Sequence, residues 1–107
     1  MVGHPKFYQL LDEMKQLHDR KNADYSEKGE PLSNFKACES FGVSPFVGTI
    51  VRISDKYSRL TQLVRKMQEG KGPSVSEERI TDTLMDMAVY CLIARILYEE
   101  GKPAAAK

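Results

Sequence analysis

Phe7, Leu10, Leu11, Met14, Leu17 and His18 recur at three- and four-residue steps behind Pro5, the spacing that gathers side chains on one face of a helix. Proline suits the first helical turn, where its missing N–H is not needed, so a helix is predicted to open at Pro5. The pattern dissolves over Asn22–Pro31, where NADYSEKGEP is polar and contains Gly and Pro. A loop is expected there, and loops often carry function. Ser33–Phe41 reads as a short helix closed by Gly42 in a left-handed conformation.

Ser44-Pro45 is a second start signal, an N-cap followed by proline in the first turn. The helix it opens is predicted to run to about Gln68, ahead of Gly70. Phe46, Ile50, Ile53, Tyr57, Leu60, Val64 and Met67 form its apolar seam, which requires a helical partner. A turn over Gly70–Pro73, with a cap at Ser74 and Glu77 or at Ser76, opens the last helix, which should continue to Gly101. No segment alternates with period two, so no strand is expected. The class is therefore all-α: a helical bundle of two long antiparallel helices plus shorter N-terminal ones. Residues 1–101 form a single domain and 102–107, KPAAAK, a frayed tail.

From Met87 to Ala94 the last helix is apolar on every side. A surface helix of a monomer keeps a polar face, so this one should be surrounded. Two long and two shorter helices hardly suffice, and the expectation is a homo-oligomer, a dimer or higher, with this helix in its interface. The alternative is a helix wrapped wholly by its own chain.

Composition narrows the function classes. The 107 residues can bury a modest core without disulfides or metals. Sixteen Lys and Arg against fifteen Asp and Glu leave a formal charge of +1. Nucleic acid is thus not the expected partner, and any phosphate recognition must be local. Cys38 and Cys91 form no C-x-x-C pair and read as reduced thiols, which fits a cytoplasmic setting. MVGHPKFYQL lacks the features of a signal peptide, and Asp86 and Arg95 interrupt the apolar run Leu84–Tyr98, so neither secretion nor a membrane span is expected.

Two charged stripes carry the candidate chemistry. On the long third helix, Arg52, Asp55, Lys56 and Arg59 share one face, apart from the apolar seam, and read either as a cationic surface or as an ordinary solvated face tied by pairs such as Asp55 with Arg59. On the last helix, Glu78, Asp82 and Asp86 stand four apart in a line that continues into Val89 and Ile93. Asp86 lies between Met85 and Met87 at the edge of the buried stretch, where a carboxylate needs a cation, a metal or a proton. Either Asp82 and Asp86 hold a divalent ion such as magnesium, or Asp86 forms a buried salt bridge to Arg52 or Lys56. In the loop, Lys21, Asn22, Asp24 and Tyr25, with Asn34 and Phe35 beyond, offer a set suited to a base and sugar and equally to an ordinary capping loop. His4 and His18 are isolated and read as surface or core-edge residues.

Taken together, K-N-x-D-Y at Lys21–Tyr25, N-F at Asn34-Phe35, V-R-I-x-D-K-x-x-R-L at Val51–Leu60 and D-T-L-x-D-x-A-x-Y at Asp82–Tyr90 resemble the phage and bacterial nucleotide-modification-associated domain. That domain is a branch of the MazG-like all-α nucleoside triphosphate pyrophosphatases. The resemblance covers roughly residues 7 to 98 and implies a MazG-like helical fold, a homo-oligomer, and a site where acids of two helices bind Mg2+ and nucleotide phosphates. It implies that Asp82 and Asp86, with Glu78 and Asp55, form the metal and catalytic set. Lys21, Arg52, Lys56 and Arg59 would neutralise phosphate, and Asn22, Asp24, Tyr25, Asn34, Phe35 and Tyr90 would complete the nucleotide site.

The superfamily usually has E-x-x-E on the first metal helix and E-x-x-D on the second. This chain has R-x-x-D-K and E-x-x-x-D-x-x-x-D, so one helix has largely exchanged acids for cations. A phosphate-binding face survives that exchange better than a multi-carboxylate cage. Two functions are thus expected: a Mg2+-dependent nucleotide pyrophosphohydrolase or phosphohydrolase of phage nucleotide metabolism, or a non-hydrolysing protein that sequesters a nucleotide or cyclic-nucleotide immune signal.

Overall fold

The computed structural model describes residues 2–26, 29–70 and 73–101; the side chains of Tyr25 and of residues 73–78 lie outside that description. Four α-helices follow in order: α1 (Pro5–Tyr25), α2 (Ser33–Lys36), α3 (Pro45–Gln68) and α4 (Pro73–Glu100), with a 3₁₀ turn at Ala37–Phe41 between α2 and α3. No strand occurs among the described residues.

The local signals set most helix ends. Ser44 accepts a hydrogen bond from the Val47 N–H at 3.1 Å and caps α3, while Gly42, at φ 78°, ends the 3₁₀ turn. His4 caps α1 by accepting the Lys6 N–H on Nδ1 at 3.0 Å, a role its isolated place in the sequence did not reveal. Two ends differ from expectation. Helix α1 continues through Asn22, Ala23, Asp24 and Tyr25 to a C-cap at Ser26, so the loop starts four residues later than the polar composition suggested. Helix α4 opens at Pro73 itself, and the proposed caps at Ser74, Ser76 and Glu77 lie outside the described side chains. The tail 102–107 is also outside.

Helices α3 and α4 pack along their length as an antiparallel pair. Phe46 meets Tyr98 at 5.2 Å between ring centroids, and Lys56 meets Asp86. Helix α1 lies antiparallel to α4 on another side, with Leu11 near Ile96 and Lys21 at Asp86. The core is Leu32, Val89, Ile93 and Leu97, joined by Met14, Leu17, Phe35, Phe46 and Tyr90. The face that α3 turns inward is rotated from the expected seam. Thr49 and Leu63 are buried, whereas Ile50, Tyr57 and Met67 are substantially exposed. Thr49 satisfies its hydroxyl by donating to the Pro45 carbonyl at 2.8 Å, so a polar residue serves at the centre of the contact.

A single copy does not enclose α4. Leu84, Leu92, Ile96 and Tyr98 keep 43 to 53% of their surface, and the version in which the chain wraps this helix entirely by itself does not hold. Cys38 and Cys91 are free thiols; Cys91 is exposed rather than packed as a core residue. Among the described residues, no helix is long and apolar enough to cross a membrane.

Candidate functional site

Asp86 organises the junction of three helices. Its Oδ1 accepts from Lys21 Nζ of α1 and its Oδ2 from Lys56 Nζ of α3, each at 3.0 Å. The carboxylate keeps 16% of its side-chain surface, against 43% for Lys21 and 30% for Lys56. Burial pushes the Asp86 carboxyl up. The hydrogen bonds and charges of Lys21 and Lys56 outweigh this and hold it below its ordinary value. Of the two roles expected for Asp86, the ion pair is the one formed in this arrangement, with Lys56 as one partner, Lys21 as the other, and Arg52 elsewhere.

Arg52 sits one turn before Lys56 on α3. Its guanidinium lies 4.4 Å from the centroid of the Phe35 ring, and its Nη2 donates to the Asn34 carbonyl at 3.2 Å. Phe35 in turn meets Tyr90 of α4 edge-on, with centroids 5.9 Å apart. Helix α2 is only four residues long, yet these contacts fix the ring and the amide it carries.

Between these groups lies a cavity of about 510 Å³, walled by Lys21, Asn22, Asn34, Phe35, Arg52, Asp86 and Tyr90, with Leu17, His18, Val89 and Ile93 as its apolar part. Its size and its mixture of apolar lining with a few convergent polar groups are those of a small-molecule site. Seven of the predicted site residues thus meet in one cavity, and Lys56 reaches it through Asp86.

Other predicted residues stand apart. Asp24, Asp55 and Arg59 are exposed and do not line the cavity. Arg52 and Lys56 lie on the side of α3 that faces α4, not apart from the packed face. Asp82 is exposed and, with Glu13, Arg20, Lys21 and Asp86, lines an adjoining cleft of about 500 Å³. The side chains of Glu78 and Tyr25 lie outside the description. Sequence reasoning missed His18 and Leu17 as cavity residues; their signal was position, one turn before Lys21 and Asn22. Helical spacing puts Val89 and Ile93 in line with Asp86 but does not by itself assign them to the cavity wall, where the structure places them.

The donor set does not match a multi-carboxylate metal cage. Both Asp86 oxygens carry an ammonium group, and among the described residues no three of His, Cys, Asp and Glu stand together to hold an ion. Each Asp86 oxygen already accepts from a lysine, so a divalent cation at Asp86 would share the carboxylate with two ammonium groups and be repelled by their charge. The chain matches no protein-family model, no curated protein and no solved structure.

Proposed function

We propose that the cavity binds a nucleotide, its phosphates against Lys21, Lys56 and Arg52 and its base against Phe35, Tyr90 and the amides of Asn22 and Asn34. The carrying observation is the convergence of two ammonium groups from different helices on one carboxylate, beside a guanidinium stacked on an aromatic ring. Cations outnumber the acid, so the space keeps a positive bias suited to an anion. Arg52 has further N–H donors beyond the one given to Asn34, in the fork that suits phosphate. The aromatic and amide walls suit a planar heterocycle. This reading makes the protein a nucleotide-sequestering module whose ligand can be linear or cyclic and whose binding needs no metal. Copies of the chain would associate through the exposed apolar flank of α4, as the resemblance to the MazG-like family also implies.

Calorimetric titration of mono-, tri- and cyclic nucleotides in EDTA tests this. Binding is expected without metal, with the ligand recovered unchanged after denaturation, and with affinity lost in Arg52→Ala and Lys56→Ala. Failure of every nucleotide to bind, or unaltered affinity in both variants, refutes it.

A second reading, Mg2+-dependent pyrophosphohydrolysis, is favoured by one feature: Asp82, Asp86 and Glu13 share the adjoining cleft. It requires release of pyrophosphate or phosphate in magnesium and loss of turnover in Asp82→Ala.

A further inference from the structure

Two side-chain amides meet at one hydroxyl where α1 ends. Ser26 Oγ lies 2.9 Å from Asn22 Oδ1 and 2.8 Å from Asn34 Oδ1. The Leu32 N–H donates to the same Asn22 Oδ1 at 3.1 Å. A serine hydroxyl owns one proton, and the oxygen and nitrogen of a carboxamide are told apart by their partners. The Leu32 N–H can only donate, so the Asn22 atom facing it must be oxygen. That oxygen can only accept, so its contact with Ser26 takes the hydroxyl proton. None is left for Asn34, and two oxygens 2.8 Å apart without a proton between them repel. The conflict disappears when the Asn34 amide is turned over, so that Nδ2 donates to Ser26 Oγ.

We propose that Asn34 presents its Oδ1 and Asn22 its Nδ2 to the cavity, as an acceptor and donor pair that reads the pairing edge of a nucleobase. This rests on the nucleotide reading above and specifies it. Asn22 and Asn34 both line the cavity beside Phe35 and Tyr90; in this proposal the rings hold the faces of a base while the amides meet its edge. Keto bases offer C=O beside N–H, and amino bases offer NH₂ beside a ring nitrogen. Either edge satisfies one donor and one acceptor, whereas a bare polyphosphate carries no N–H or O–H for the Asn34 oxygen and leaves that acceptor unpaired. Ser26 is then a positioning residue: its single proton goes to Asn22, whose orientation the Leu32 N–H sets, and this fixes which atom Asn34 turns to the ligand.

The test uses dGTP, dTTP and inorganic tripolyphosphate, titrated in EDTA. In the wild-type protein both nucleotides should bind at least tenfold more tightly than tripolyphosphate, because a polar site rejects a ligand that leaves its groups unpaired. Asn22→Asp keeps an oxygen toward Leu32 and Ser26 but turns the cavity-facing donor into an acceptor. The cavity then shows two acceptors, which match the neighbouring N1–H and 2-amino donors of guanine. The dGTP to dTTP affinity ratio should rise at least tenfold, with tripolyphosphate reporting the effect of the added charge alone. An unchanged ratio overturns the proposal, since it means that Asn34 shows its nitrogen or that neither amide touches the base. Ser26→Ala gives an independent check: nucleotide affinity should fall about fivefold while tripolyphosphate binding stays constant, and equal losses for both ligands overturn the proposal. Tripolyphosphate binding as tightly as the nucleotides sinks the amide proposal alone. Failure of all three ligands to bind sinks the nucleotide reading and this proposal with it.

Discussion

Replacing Asp86 by Asn distinguishes an anion-binding cavity from a metal centre, because the two assign its charge opposite effects. In a metal centre the neutral amide weakens binding of the metal-linked phosphate. In the arrangement described here the carboxylate competes with a phosphate for Lys21 and Lys56, so its neutralisation should strengthen phosphate binding. A phosphate touching both ammonium groups would stand roughly 6 Å from the carboxylate. With an effective dielectric constant between about 20 and 80, the relieved repulsion is on the order of 0.7 to 3 kcal/mol, a gain of about 3- to 100-fold. Stability should move the other way. Removing one partner of a fully buried pair costs about 3–5 kcal/mol. Here the lysines are 43% and 30% exposed and regain solvent, so about 1–2 kcal/mol is expected. Urea unfolding followed by circular dichroism measures the loss, and calorimetry with tripolyphosphate in EDTA measures the gain. An Asp86→Asn protein that is folded but binds tripolyphosphate more weakly than the wild type would refute the reasoning.

The same carboxylate gives an acid limb to stability. Its folded value is depressed, since the lysine bonds and charges exceed the effect of burial. Its contribution is therefore full above the unfolded value of about 3.9 and disappears as pH falls through the lower folded value. The stability gap between wild type and Asp86→Asn, read from urea midpoints, should be constant from pH 6 to 7 and close below about pH 4; a gap that persists there contradicts the assignment. Arg52→Lys keeps the charge but loses the flat stack on Phe35 and the fork that reaches the Asn34 carbonyl. Nucleotide affinity should fall about fivefold and stability by about 1 kcal/mol, and an unchanged affinity would remove Arg52 from the site. Leu32 is buried at φ 69°; truncation to Ala should destabilise by about 2–4 kcal/mol. Gly ordinarily does worse than Ala by about 0.5–1 kcal/mol, but at this left-handed position Leu32→Gly should equal or exceed Leu32→Ala in urea midpoint.

Local signals carried the helix ends, and distant pairing carried the site. Pro5, Ser44-Pro45 and Gly42 act through their own backbone conformation or a bond to a near neighbour, so their effects are visible in a short window. The end of α1 was not legible because Asn22–Tyr25 has no apolar repeat. That turn is held by polar contacts, Lys21 to Asp86 across 65 positions and Asn22 to the Leu32 N–H across 10. The spacing of Arg52, Asp55, Lys56 and Arg59 makes them neighbours along α3, yet the structure divides them into half-buried Arg52 and Lys56 and exposed Asp55 and Arg59, and periodicity cannot say which residue stands at the level of Asp86. That depends on how α3 and α4 are registered. The apolar seam of α3 holds only in part for a related reason: Phe46 packs on the core and Ile53, Leu60 and Val64 are half-buried, but Ile50 and Tyr57 face outward in the single chain, while Thr49 is buried because its hydroxyl has a backbone acceptor. Hydrophobicity alone cannot identify a polar residue whose own helix satisfies it.

Leu32 connects the core to the cavity, and this determines how substitutions there should behave. A leucine in the left-handed region is strained and persists where its surroundings hold it. Here the side chain is buried against Val89, Ile93 and Leu97, the N–H donates to Asn22 Oδ1, and the carbonyl accepts the Phe35 N–H at 2.9 Å. Burial of one side chain thus stabilises the bend that brings Asn34 and Phe35 to the cavity wall. Val89 and Ile93 have the same double place, in the core and on the cavity wall. Such a site is ordered before a ligand arrives, and the ordering is supplied by folding rather than by binding. Loosening Leu32, Val89 or Ile93 should therefore lower stability and affinity together. At Asp86 the two should oppose each other, because its charge supports the fold by occupying the same ammonium groups that the proposed phosphate would need.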